Sequence, residues 1–176
     1  MQITKTVTIG KRPDEVYAFW RRLDQLPSFM RHLDRVAVTG RTTSHWVASA
    51  PLGRSVEWDA QIIEDTPGKR LGWRSVPGSE VTNAGTVKFE QAPGDRGTEV
   101  TARLEYQPPA GQLGAAVAKL FGEDPPQQLD DDLRRLKQIL ETGEIVRSDG
   151  APGGKRAMSQ RPAQPLSRAE LAEVLG

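Results

Sequence analysis

The sequence predicts an α+β domain in which one antiparallel sheet of about seven strands has a solvated face and a face covered by helices. Three features carry that prediction. Residues 33–106 fall into short runs of period two separated by turn residues. Helical periodicity flanks them, briefly after the first strand and at length toward the C-terminus. The strands also agree on one dry side, because large apolar residues recur at every second position.

Residues 2–9 alternate as the first strand, with Ile3, Val7 and Ile9 on one side and Gln2, Thr4, Thr6 and Thr8 on the other; Lys5 is the one break in the apolar side. "KRPDEVYAFW" then starts a helix at Pro13, with Asp14 and Glu15 in its first turn, where the macrodipole favours acids. Val16, Phe19, Trp20 and Leu23 form its buried stripe. Pro27 is expected to end this helix, and "DQLPSFMRHLD" reads as a second short helix or turn. Strands follow near 34–40, 43–50, 54–65, 69–76, 82–91 and 97–107, joined by turns such as "PLG", "TPGK", "PGS" and "PGDRG".

The last third is helical. Leu113, Val117 and Leu120 share a face in "AGQLGAAVAKLFG". Asp124 caps a longer helix that begins at Pro125, carries Leu129, Leu133, Leu136 and Leu140 as its stripe, and stops at Gly143. Asp130, Asp131 and Asp132 precede Arg134, Arg135 and Lys137, in the order the helix dipole prefers. The pair Pro125–Pro126 predicts a break before that helix. Residues 1–145 therefore read as one domain and 146–176 as a disordered tail, in which Ser167 and Glu170 form a capping box for a short helix at 167–175.

Composition narrows the function. A net charge of +1 provides no field for nucleic acid or anionic membrane. With no cysteine there is no disulfide, thiolate nucleophile or zinc–sulfur site. "MQITKTVTIG" lacks the layout of a signal peptide and no apolar run is long enough to span a bilayer, so the expectation is a cytoplasmic chain without a transmembrane segment. The two histidines lack metal-ligand spacing and no glycine-rich phosphate loop occurs, so no metal or cofactor is predicted.

Parity assigns the faces. Val56, Trp58, Ala60 and Ile62 fall on one side of their strand, and Ser55, Glu57, Asp59 and Gln61 on the other. Trp46, Ala48 and Ala50, then Leu71, Trp73 and Ser75, then Gly85, Val87 and Phe89, then Val100, Ala102, Leu104 and Tyr106 continue the dry side. Glu57 and Asp59 lie about 6.5–7 Å apart by strand rise, a spacing that paired catalytic carboxylates use. On a solvated face, cross-strand charge pairing is their expected role. The dry side, with tryptophans beside small residues, leaves either tight interdigitation or a hollow. An empty pocket of about 300 Å³ would forgo roughly 7 kcal/mol, so a hollow here is small, collapsible or filled.

The stretches "RPDEVYAFWRRLDQLPSFMRHLDRV", "SHWVASAPLGRSVEWDAQIIEDTPGKRLGWRS" and "NAGTVKFE" resemble the bacterial polyketide cyclase/dehydrase branch of the SRPBCC superfamily, over about residues 1–145. That branch is similar to coenzyme Q-binding START proteins and to the birch pollen allergen. The resemblance implies a helix-grip fold, with the sheet wrapped around the C-terminal helix, two short helices after the first strand and a cavity for a hydrophobic small molecule. It implies a cavity wall of Trp46, Trp58, Trp73, Phe89, Leu104 and Leu133, and a mouth formed by 26–33 and 77–85. It does not imply an enzyme.

Catalysis needs acid–base groups inside the pocket, and apart from Lys5 the inward set has none. Lys5 near a strand end is expected to snorkel. The catalytic candidates lie at the rim: His32, Tyr17 and Arg74, with Arg31 and Tyr106 beside them. The leading expectation is binding or transport of a lipid-, quinone- or polyketide-like ligand. A cyclase or dehydratase acting on such a molecule is the alternative. A third reading is an interaction protein that recruits a partner through its tail, and an edge strand offers a route to a homodimer.

Overall fold

The computed structural model describes residues 1–50, 53–107, 124–145 and 164–165. Strand β1 (Gln2–Ile9) leads into helix α1 (Pro13–Arg21) and a 3₁₀ segment (Leu23–Ser28). Six strands follow: β2 (Leu33–Val38), β3 (Thr43–Ala50), β4 (Arg54–Thr66), β5 (Arg70–Ser75), β6 (Thr82–Gln91) and β7 (Thr98–Gln107). Helix α2 (Pro125–Thr142) comes next. The seven strands form one antiparallel sheet in the order β1-β7-β6-β5-β4-β3-β2, so the first strand closes against the last. This is the helix-grip α+β fold.

Helix α1 ends at Arg21, six residues before Pro27, which lies inside the 3₁₀ segment instead of terminating the helix. Val16, Phe19 and Trp20 face inward from α1, and Leu23 continues that stripe from the 3₁₀ segment. Both ends of α2 are stopped by the residues whose chemistry predicts it. The Asp124 carboxylate accepts from Gln127 N–H at 3.2 Å. Gly143 takes the left-handed conformation (φ 70°) and donates its N–H to Ile139 O at 2.9 Å. Lys137 ties the helix to the end of β1, donating to Thr8 O at 2.6 Å.

The core lies between the dry face and the helices. Ile9, Ala48, Val87, Val100 and Ala102 are buried from the sheet, and Leu129, Leu133, Leu136, Ile139 and Leu140 from α2. Lys5 is opposite Ala102 in the β1–β7 register, half-buried on the inner face.

Two features depart from simple periodicity. A bulge between Ile62 and Glu64 leaves Ile63 exposed and reverses the parity of β4 beyond it. Asp65 thereby lies opposite Leu71 on the inner side, where Arg21 of α1 reaches it at 2.9 Å. Asp132, the third of three consecutive aspartates on α2, is 2 % exposed. Position 132 is three residues after Leu129 and four before Leu136, so it belongs to the buried stripe. Residues 164–165 pair with residues 144–145 as a two-stranded ladder, β8 (Glu144–Ile145) with β9 (Gln164–Pro165). The helices expected over Leu113–Leu120 and 167–175, and the rest of the tail, lie outside the described residues.

Candidate functional site

The strands of the dry face bring three tryptophans together. Trp46 and Trp58 are direct partners across β3 and β4, with ring centroids 5.8 Å apart. Trp73 of β5 stacks on Trp46 at 6.1 Å and 22°. Trp73 fits because its strand partner is Gly85: a Cβ there would stand 2.2 Å from the indole. Trp46 anchors its indole N–H on Ser44 Oγ at 2.8 Å.

These rings border a cleft walled also by Met30, His32, Asn83, Ala84, Leu104 and Glu105. The room left is about 30 Å³, space for little more than one or two waters. The cleft thus gathers Trp46, Trp58, Trp73 and Leu104 of the expected wall, and draws on the 26–33 and 77–85 segments. Phe89 and Leu133 are buried elsewhere: Phe89 packs edge-on to Tyr17 at 5.8 Å and to Trp20 at 6.3 Å.

Two residues that line the cleft each carry an unsatisfied polar atom. Trp58 Nε1, a donor, and Asn83 Oδ1, an acceptor, are buried and have no hydrogen-bond partner among the described residues. Water bonds lost on burial and not replaced cost about 1–3 kcal/mol each. Such atoms are uncommon in native interiors and call for an explanation.

His32 borders the same cleft, just before β2. Burial pushes its imidazole down to about 4, so it is neutral near pH 7. Gln128 of α2 meets its Nδ1 at 2.9 Å, and Asp132 Oδ2 lies 3.9 Å from the same nitrogen. Burial pushes Asp132 up to about 7, against the opposing pull of the Arg135 guanidinium at 2.6 Å and the Arg31 backbone N–H. Arg135 also donates to Phe29 O at 3.2 Å. This buried polar cluster fixes α2 against the 29–32 segment and sets the orientation of the histidine. Among the catalytic candidates, His32 alone lines the cleft.

Tyr17 has a different task. Its hydroxyl donates to Asp65, which Arg21 also holds, so the pair fastens α1 to the bulged end of β4. Burial first, and then the Asp65 carboxylate, pushes the phenol up to about 12. Arg74 is exposed, opposite Gln61 and Ala84 on the solvated face, and Arg31 is exposed as well. Tyr106 is buried near the end of β7, and burial raises its phenol above the ordinary value.

On the outer face, Glu57 and Asp59 flank His45. Nδ1 meets Asp59 at 2.8 Å and Nε2 meets Glu57 at 3.3 Å. The hydrogen bond to Asp59 leads in holding the imidazole above its ordinary value. The carboxylates approach opposite ring nitrogens, so the three groups do not converge on one point, and among the described residues no cluster of three or more such groups fits a metal ion. Depressions of about 530 and 490 Å³ on this side are lined largely by polar and charged residues, among them His45, Glu57, Asp59 and Glu80 in one, and Arg70, Lys88 and Arg103 in the other.

Sequence reasoning passed over Gln128 and Asp132. Helical arithmetic from the Leu129–Leu136 stripe would have found Asp132. Gln128 is visible only once α2 is laid beside residue 32.

The helix-grip domain thus carries an aromatic cleft under its sheet. Residues 9–134 match the model of the polyketide cyclase / dehydrase and lipid transport family, and the chain belongs to that family. A Deinococcus radiodurans protein of known crystal structure is 44 % identical, with a TM-score of 0.68, over 81 % of this chain and 98 % of that one. An uncharacterized 17.2 kDa protein of Streptomyces lincolnensis is 28 % identical over 80 % of this chain and 89 % of its own length. The di-domain ARO/CYC StfQ of the steffimycin biosynthetic pathway shares the fold, at 16 % identity and a TM-score of 0.57 over 79 % of this chain and 49 % of that one. Among the described residues no helix is long and apolar enough to cross a membrane.

Proposed function

We propose that this chain binds a small hydrophobic or amphipathic molecule, lipid-, quinone- or polyketide-like, in the tryptophan cleft under the sheet. One observation carries the reading: three tryptophans line the cleft together, and two lining residues, Trp58 and Asn83, each have a buried polar atom without a partner among the described residues. Polar groups on a guest would offer such atoms partners, and its apolar body would lie among the tryptophans once they part. The rings leave about 30 Å³, so a guest enters by displacing them. A collapsible cleft of this kind avoids the roughly 24 cal/mol per Å³ that a standing void costs.

The test is organic-solvent extraction of untagged protein from its own host, followed by mass spectrometry. A stoichiometric hydrophobic compound that is lost in Trp58→Glu, with the fold retained, supports the reading. A blank extract, together with no binding of any hydrophobe by the purified chain, overturns it.

Catalysis on the guest is the second reading, favoured by the position of His32, a neutral acid–base group on the cleft wall. His32→Gln would abolish turnover of a bound polyketide-like substrate while leaving its binding intact.

A further inference from the structure

The bulge of β4 and a group of cations meet at one place on the outer face of the sheet. A depression of about 490 Å³ there runs from Ile63 of β4, past Arg70 of β5 and Lys88 of β6, to Arg103 of β7 and Thr4 of β1. That volume suits a small molecule. The depression adjoins the tryptophan cleft at Trp73, Ala84 and Glu105, but none of its three cations borders the cleft.

The cations are set side by side. Arg70 is directly opposite Lys88 in the β5–β6 register, and Lys88 is opposite Thr101, two residues before Arg103. Like charges at directly opposed strand positions repel, so the fold alone gains nothing from this arrangement. Glu64 meets Arg70 at 3.0 Å, and Glu105 meets Arg103 at 2.6 Å. Lys88 lies on the strand between those two pairs, and its ammonium has no acid of its own among the described residues. An anion placed beside it would relieve the repulsion and complete the pairing.

The same depression has an apolar end. Ile63 is 55 % exposed and lies beside Gly72, where a Cβ would stand 3.7 Å from Ile63 Cγ1 and 3.3 Å from Glu64 Cβ. The bulge brings Glu64 to the outer face next to Ile63, opposite that glycine. Ala84, short and outward on β6, extends the apolar surface.

We propose that this depression is a second binding site, for a small amphipathic oxyanion: a carboxylate or phosphate monoester whose head meets Lys88 between Arg70 and Arg103, and whose apolar body lies on Ile63 and Ala84. It stands independently of the guest assigned to the tryptophan cleft.

The test is a titration of the full chain with octyl phosphate, octanol and inorganic phosphate at neutral pH and low salt, followed through backbone amide and indole N–H signals in NMR spectra. Octyl phosphate should move the Lys88, Thr101 and Arg103 amides and bind about three- to tenfold tighter than either control. Lys88→Gln should weaken it by about the same factor, and Lys88→Arg should retain it. Ile63→Ser should remove most of its advantage over inorganic phosphate. Shifts confined to the Trp46 and Trp58 indoles would put the probe in the cleft and overturn the outer site, with the cleft reading strengthened. An affinity indifferent to Lys88→Gln, or octanol matching octyl phosphate at the same amides, overturns it as well. No shift at all also overturns it, and leaves the cleft reading to its own test.

Discussion

Gln128 and His32 are 96 residues apart in the sequence and meet at 2.9 Å, the helix amide against imidazole Nδ1. With Gln128 Nε2 as donor, Nδ1 is the acceptor and the proton of the neutral ring belongs on Nε2. A helix laid over the sheet thus sets the tautomer of the one histidine that borders the tryptophan cleft.

The two histidines of the chain should titrate on opposite sides of the ordinary value of 6.5. Burial holds His32 down, to about 4; the hydrogen bond to Asp59, then Glu57, holds His45 up. Histidine ring signals followed by NMR should give one midpoint near 4 and one above 6.5. Asp59→Asn should lower the upper midpoint and leave the lower one in place. A His32 midpoint near 6.5 would contradict the burial described above.

Asp132 and His32 drive stability in opposite directions with pH. Asp132 has a folded value raised to about 7, so its contribution is fully present below its unfolded value near 3.8 and is lost as pH rises through 7. His32 has a depressed folded value, so its contribution is present above 6.5 and is lost as pH falls toward 4. Between about 4 and 6.5 the two slopes oppose each other. Asp132→Asn removes one of them. The stability of the variant minus that of wild type, from denaturant melts, should therefore rise with pH across 4–7, by at most about 1.4 kcal/mol per pH unit. A pH-independent difference would show that Asp132 is ionised throughout, held by Arg135.

Tyr17→Phe should separate stability from binding. The hydroxyl it removes serves Asp65 under α1, and Asp65 keeps Arg21 at 2.9 Å. The site is partly solvated, so the expected cost is about 1 kcal/mol, measured by denaturant melts. Guest affinity should be unchanged, because neither Tyr17 nor Asp65 borders the cleft. A loss of affinity without a loss of stability would return Tyr17 to the list of functional residues.

The elements and the dry face of the sheet were legible because period two and period 3.6 report burial directly. Trp46, Trp58 and Trp73 could be placed on one wall from parity alone. Asp65 could not, because the bulge after Ile62 inserts one residue and reverses the parity behind it, and no residue type in "QIIEDT" announces that. Asp132 was noted only for its place in the charge order, although the stripe of Leu129 and Leu136 runs through it. The size of the cleft was out of reach for another reason. Rotamers, the stack of Trp73 on Trp46 and the approach of Gln128 to His32 are set by helix placement, which periodicity does not encode.

Gly85 should prove to be the residue that admits the tryptophan stack. It lies in ordinary strand geometry opposite Trp73, so a methyl group there meets no backbone penalty, only the ring at 2.2 Å from Cζ2. Trp73 cannot retreat freely, because its other face stacks on Trp46, which in turn packs on Trp58. Gly85→Ala should therefore cost roughly 1–3 kcal/mol by overpacking and alter the near-ultraviolet circular dichroism of the tryptophans. Trp73→Leu alone should also destabilise, by removing a buried ring. Combined, the two changes relieve one another, since the smaller side chain vacates the space the new methyl needs. The double variant should be more stable than the sum of the two single losses predicts, by about 1 kcal/mol in a denaturant double-mutant cycle. Simple additivity would mean that the ring has another place to go, and that the stack does not depend on the glycine.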